Sequence, residues 1–239
     1  MSLLQKVSAP KLQLVALLLL AIYPVAIIAS RMGLWSFKHS FLLFIIAAVL
    51  GFVVLVISLL KMSTGDRQDS RALVIALLVT LGPIAILGNS VIKAKSSPFI
   101  HDISTDVTNP PALVAAQTDR IEGDHSVEYA GTEVSELQLA GYPDLKSAAF
   151  EQSAADVFAT ARAAIEQNGW AILAENNQIL PFTIEAVDTS LLFGFKDDIV
   201  VRISAAEAGS VVDVRSMSRV GQSDLGANAK RIQKLLNQL

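Results

Sequence analysis

The stretch "SMSRVGQSDLGANAKRI", residues 216–232, passes from a strand-like alternation into a helical one. Gly221, Ser223, Asp224 and Gly226 crowd the turn, with Arg219 and Arg231 on either side. Phosphate loops and nucleophile elbows occupy such strand–turn–helix passages, so this reading separates an α/β nucleotide or hydrolase fold from a plain α+β one. Gly221 and Gly226 have the glycine spacing of a Walker A loop. The next residues, Ala227 and Asn228, lack the lysine and the hydroxyl that hold phosphate and magnesium. A nucleophile elbow fails more narrowly: the second glycine falls one residue late, and His101 or His125 would have to serve as base. What remains is a helix start, in which Ser223 or Asp224 accepts hydrogen bonds from the first free amides. If the turn does bind a small anion, Arg215, Ser218, Arg219, Ser223 and Asn228 are the residues expected to hold it. The alternative is that the arginines pair with acidic residues from elsewhere in the chain.

Upstream of the turn, five runs read as short strands: residues 170–175, 182–187, 191–195, 199–204 and 211–217. Asn176-Asn177, Asp188-Thr189-Ser190 and Lys196-Asp197-Asp198 read as the turns between them. Ser153-Ala-Ala-Asp156 has the spacing of a capping box, followed by Val157, Phe158, Ala161 and Ile165 on one helical face and by Asn168-Gly169 as a stop. Residues 225–239 carry Leu225, Ile232, Leu236 and Leu239 on a second helical stripe. Connections this short exclude parallel crossovers and predict an antiparallel meander. Two helices on one face of it make a two-layer α+β domain.

The period of two also sorts the other face. Ile199, Val201 and Ile203 point one way, while Val200 and Arg202 point the other. Asp213, Arg215, Met217 and Arg219 share one parity, as do Thr183, Glu185 and Val187. A face half charged and half apolar suits neither bare solvent nor a dry core, so something must cover it. Residues 96–150, with prolines at 98, 110, 111 and 143 and no sustained period, read as an extended arm. Between Asp102 and Glu136 this arm holds eight acidic residues against Arg120 alone, complementary to Arg202, Arg215 and Arg219.

The N-terminal part is of another kind. Residues 12–29, 41–60 and 72–92 are apolar runs of the length that crosses a hydrocarbon core of about 30 Å. Pro24 and Gly82-Pro83 interrupt two of them, and each proline frees a backbone carbonyl. The Gly82-Pro83 kink is therefore expected to pack against another helix. No A-x-A site follows the first run, so it is expected to remain as a span and not to be cleaved. Three spans put the termini on opposite sides. The N-terminus and second loop hold five basic residues (Lys6, Lys11, Lys61, Arg67, Arg71) against four on the other side. That bias places the N-terminus in the cytoplasm and the C-terminal domain outside it.

Charge divides the chain in the same way. Residues 1–97 carry nine Lys/Arg and two Asp, while residues 98–239 carry ten basic and twenty acidic residues. The basic collar favours anionic lipid, and the acidic domain argues against nucleic acid as a partner. With no cysteine in the chain, disulfides and thiolate metal sites are excluded. "FIHDISTD", residues 99–106, is the second concentration of chemistry. Its D-x-S-x-D resembles the opening of a calcium loop, but Val107 and Leu113 stand where the glycine and the terminal glutamate belong. No metal and no cofactor are expected.

Four ordered motifs, "PFIHDISTDVTNPPAL", "GYPDLKS", "GFKDDIVVRI" and "VDVRSMSRVGQSDLGANAKRI", together resemble the domain-of-unknown-function family 1499 over roughly residues 97–239. Members of that family occur in bacteria and photosynthetic eukaryotes, often behind an N-terminal membrane region. The resemblance carries no established activity. It marks His101, Asp102, Ser104, Thr105, Asp106, Pro110 and Pro111 in the first motif, and Tyr142, Pro143 and Asp144 in the second. Asp197, Asp198 and Arg202 belong to the third, and Ser216, Ser218, Arg219, Gly221, Ser223, Asp224, Gly226, Asn228, Arg231 and Ile232 to the last.

The expectation is a bacterial inner-membrane protein with a three-helix anchor over residues 1–95, an extended arm over 96–150 and an α+β core over 151–239. Its soluble part faces the periplasm and engages an envelope protein, a lipid or a small anion without chemistry. One alternative is a hydrolase using His101 or the Asp102, Asp106 and Asp224 carboxylates. Another is a lipid-binding domain with a pocket between helices and sheet.

Overall fold

The computed structural model describes residues 7–63 and 70–239. Lys6 and Arg67, two of the charges used to orient the chain, lie outside that range. The chain divides into two compact units, Met1–Ile92 with Leu192–Gly194, and Lys93–Leu191 with Phe195–Leu239.

Three helices dominate the first unit: α1 (Ala9–Arg31), α2 (Phe37–Ser63) and α3 (Ser70–Ser96), the last running on into the second unit. All three are long and apolar enough to cross a membrane. Small residues line their contacts, with Ala16, Ala26, Ala47, Ala48 and Ala76 almost fully buried. Without a hydrophobic drive inside lipid, close backbone approach of this kind is what holds helices together. The Tyr23 ring meets the edge of Phe44 at 4.8 Å. The Gly82-Pro83 kink departs from expectation, because Gly82 is exposed and Pro83 only half-buried. The buried side of α3 ends earlier, at Leu73, Ala76 and Thr80.

The second unit is built on one sheet. Strands β3 (Ala171–Asn176), β4 (Phe182–Thr189), β5 (Lys196–Ala206) and β6 (Gly209–Ser218) form an antiparallel meander. Two three-residue strands, β1 (Asp102–Ser104) and β2 (Ala148–Phe150), both pair antiparallel with β6, so the order is β1-β6-β5-β4-β3 with β2 beside β6. Residues 96–150 thus contribute strands and are not simply an extended arm. They also hold a single helical turn, α4 (Ala115–Thr118), and a ten-residue helix, α5 (Thr132–Gly141). Residues 191–195 are not a strand: they form the β4–β5 loop, closed by Ser190 and Phe195, whose amides donate to the Phe195 carbonyl and the Ser190 hydroxyl. Lys196-Asp197-Asp198, read as a turn, opens β5 instead. Extended backbone is tolerated there because arginines neutralise both aspartates.

Two amphipathic helices, α6 (Ala154–Gln167) and α7 (Ala227–Leu236), cover one face. Ser153 caps α6, accepting from the Asp156 amide at 3.2 Å while its hydroxyl donates to the Asp156 carboxylate at 2.6 Å. Such a cap is worth about 1 kcal/mol. Val157, Phe158, Ala161 and Ile165 of α6, with Ile232 and Leu235 of α7, meet Ile184, Ile199, Val201, Ile203, Val212 and Val214 from the sheet. Every one of these is at least nine-tenths buried, and full burial of such a side chain contributes roughly 1.5–3 kcal/mol.

Candidate functional site

On the opposite face, the register sets Val200 across from Arg215 and Arg202 across from Asp213. Leu113, Ala116 and Val127 from the covering segment pack on Val200 and Met217. Around this apolar patch runs a layer of ion pairs. Arg215 holds Asp102 in a two-pronged pair, Nε to Oδ1 at 2.9 Å and Nη2 to Oδ2 at 2.8 Å. It also donates to the carbonyls of Pro111 and Val127 and sits 5.4 Å over the Tyr129 ring. Arg202 bridges Asp213 at 2.8 Å and Asp106 at 2.9 Å. Arg219 grips Asp198 at 2.7 Å and Asp119 at 2.9 Å, and Arg120 reaches the same Asp198 at 2.8 Å. Glu185 accepts from the amides of Val114, Ala115 and Ala116, capping α4 from across the face. Burial pushes the Tyr129 hydroxyl up to about 12, with the Asp102 charge adding to it and Arg215 opposing.

The 216–232 turn is equally self-contained. Asp224 accepts from the amides of Gly226 and Asn228, both at 2.8 Å, and Ser223 accepts weakly from Leu225. Burial raises the Asp224 pKa, and those two amides pull it back. Fully buried Asn228 accepts from the Ser216 hydroxyl and donates to the His101 carbonyl and the Ser218 hydroxyl. Arg231 pairs with Asp197 at 2.6 Å and Asp188 at 2.8 Å. The His101 and His125 rings stack 4.1 Å apart. Asp102, Asp106 and Asp224 are therefore drawn to three different partners, Arg215, Arg202 and the α7 amides. Arg215 and Arg219 are 2% exposed and spend their donors on internal acceptors. The acid–arginine complementarity is the feature of the sequence that pointed to this layer.

A different place remains open. A cleft of about 340 Å³ lies where the 141–145 turn faces the start of α7, floored by Leu145 and Ala229 and rimmed by Lys93, Lys230 and Asp144. All of its lining belongs to the second unit. Two glycines shape it. A Cβ on Gly226, whose φ is +78°, would stand 2.9 Å from the Ser97 Oγ and 3.2 Å from the Tyr142 hydroxyl. A Cβ on Gly141 would overlap the Pro98 ring. The Tyr142 hydroxyl is buried without a hydrogen bond of normal geometry. Burial raises its pKa, the neighbouring Ser97 hydroxyl lowers it, and the Asp224 charge raises it further. Among the described residues, Lys93, Lys230 and Asp144 make no salt bridge. Sequence reasoning marked Tyr142, Pro143 and Asp144 only as a shared motif and passed over Lys93, Ser97, Gly141 and Lys230. The usable signal was Lys230 itself, a cation near the start of a helix whose first turn holds no acidic residue.

No group of three or more His, Asp or Glu residues that could hold a metal ion occurs among the described residues. The layer's arrangement yields a direct expectation. Removing one half of a buried pair strands the other charge, at about 3–5 kcal/mol, whereas replacing both with apolar groups of similar volume is often neutral. Asp102→Asn should therefore lower the unfolding free energy by about 3 kcal/mol in urea titrations. Asp102→Leu with Arg215→Met should recover most of that loss; a double variant no better than the single would contradict the pairing.

His101 gives a pH expectation. Burial lowers its pKa, the neighbouring His125 adds to this, and Asp102, the Gln222 backbone and Asp224 oppose it. The unfolded chain, with an ordinary histidine near 6.5, takes up this proton first, so stability falls as pH drops below about 6.5. The fall ends once the lower folded-state pKa is passed. Asp198 and Asp224, raised by burial, work in the opposite direction on acidification. The contrast with His101→Gln isolates the histidine: between about pH 7.5 and 5 the variant should lose less stability than the wild type. Equal losses would contradict the assignment.

No curated protein and no solved structure matches this chain. A family model described as "Protein of unknown function (DUF1499)" matches residues 102–239, which takes in β1, the ion-pair layer, the 141–145 turn and α7. That match covers more than half of the sequence, and the chain belongs to this family.

Proposed function

We propose that this chain is a membrane-anchored binding module without chemistry of its own, and that it recognises its ligand in the cleft between the 141–145 turn and α7. One contrast carries the reading. The carboxylates and guanidiniums of the layer pair with each other, while at the cleft neither Lys93 nor Lys230 has a salt-bridge partner among the described residues. A cleft rimmed by cations without internal counter-ions is open to an anionic or polar ligand. The hydrolase alternative would need His101 or the Asp102, Asp106 and Asp224 carboxylates turned toward a substrate. Their engagement with Arg215, Arg202 and the α7 amides weighs against it.

The test is a thermal-shift screen of the full-length protein in detergent against phosphate esters, carboxylates, amines and sugars. A ligand bound at 100 times its Kd stabilises by about 2.7 kcal/mol. At least one compound should raise Tm, and Gln233→Trp, at an exposed position of the lining, should abolish that rise without lowering the ligand-free Tm by more than a few degrees. Turnover of an ester in the screen that is lost in His101→Ala would overturn the non-catalytic reading.

The same proposal covers placement. Residues 1–95 serve as the anchor, 96–150 as the covering segment and 151–239 as the core, in a bacterial inner membrane with the C-terminal domain in the periplasm. Support for the orientation comes from the five-against-four basic bias. Because the chain has no cysteine, a single Cys placed at exposed Ile179 is an unambiguous reporter. A membrane-impermeant maleimide should label it in cells whose outer barrier alone is permeabilised. Labelling only after lysis would reverse the orientation.

A further inference from the structure

We propose that the cleft takes the phosphodiester of a membrane lipid headgroup, held between Lys93 and Lys230, with the acyl chains left in the bilayer. This rests on the cleft being the recognition site, and three observations carry it further. The first is charge. Among the lining residues two lysines stand against the single carboxylate of Asp144, and none of the three has a salt-bridge partner among the described residues. The surplus of one positive charge matches the single negative charge of a phosphodiester.

The second is the position of Lys230. It is the fourth residue of α7 and faces the cleft, and the first turn around it holds no acidic residue. The α7 amides do not themselves invite an anion, because Asp224 already occupies those of Gly226 and Asn228. The lysine has no salt-bridge partner among the described residues, and an anion arriving from outside supplies one.

The third is size and place. About 340 Å³ lies at the small end of ligand pockets, enough for a headgroup and too little for acyl chains as well. Lys93 directly follows Ile92, the end of the third apolar run, so connectivity alone sets it at the polar margin of the bilayer. Cations there are drawn to anionic lipid by about 1 kcal/mol each. The Tyr142 hydroxyl lines the cleft beside Ser97 and adds a neutral polar group to its rim.

The chain has only three tyrosines, Tyr23, Tyr129 and Tyr142, which makes the cleft easy to watch. Full-length protein labelled with 3-fluorotyrosine, in a non-ionic detergent, should give three fluorine resonances, with that of Tyr142 assigned by Tyr142→Phe. Phosphatidylglycerol should move the Tyr142 resonance, and its deacylated headgroup should do so at higher concentration. Diacylglycerol, which lacks the phosphate, should not. Lys93→Gln with Lys230→Gln should weaken the phosphatidylglycerol response about tenfold, and Asp144→Asn should strengthen it. A merely structural role for these surface groups would produce neither change. An equal response to diacylglycerol would overturn the phosphate. Inorganic phosphate saturating the cleft at lower concentration than the lipid would overturn the lipid source. If no phosphate compound moves Tyr142 while another compound from the screen does, the phosphodiester falls and the cleft stands. If nothing moves it, both fall.

Discussion

The second unit depends on one guanidinium. Arg215 projects from β6, the strand that also pairs with β1, β2 and β5. Its donors reach the Asp102 carboxylate and the carbonyls of Pro111 and Val127, three points spread over 26 positions of chain. A planar fork with five donors suits this task, and a lysine could not replace it. The segment it fastens gives Ile103 to the main core and Leu113 and Ala116 to the patch on the other face. Leu113, Ala116 and Val127 dock only because the charged groups around them are already paired.

This arrangement explains why a two-layer pattern in sequence becomes a sheet covered on both faces. Helices α6 and α7 close one face by ordinary hydrophobic burial. The other face is closed by ion pairs, with a small apolar patch of four buried residues inside the ring. Paired charges excluded from water are costly to separate and weakly stabilising in themselves. Their contribution here is to specify which segment lies where. Arg202 selects Asp106, Arg215 selects Asp102, and Arg219 selects Asp119, so the covering segment is laid down in register.

The same economy bears on function. Residues that look chemical in the sequence are those whose chemistry is consumed by the fold. Asp198 is shared between Arg219 and Arg120, and Asn228 ties α7 to β6 and to His101. The groups left over are undistinguished as a sequence: a lysine at a helix margin, a serine, a tyrosine between glycine and proline. They acquire a common meaning only because Gly141 and Gly226 let the backbone segments that carry them close together.

The sequence by itself determined the three apolar helices, the antiparallel meander, the capped helix after Ser153 and the parity that put Arg202, Arg215 and Asp213 on one face. These follow from periods of 3.6 and 2 and from local hydrogen bonding, which act over a few residues. It also carried the family's motifs in order. Tertiary structure decided the rest. Asp102–Ser104 and Ala148–Phe150 are too short to announce themselves as strands, and they are extended because β6 offers them an edge. Residues 191–195 have strand-like composition yet form a loop, while the charged Lys196-Asp197-Asp198 is extended because Arg219 and Arg231 arrive from far along the chain. The cleft was illegible for the same reason: Lys93, Tyr142 and Lys230 are separated by tens of residues, and only packing brings them to one rim.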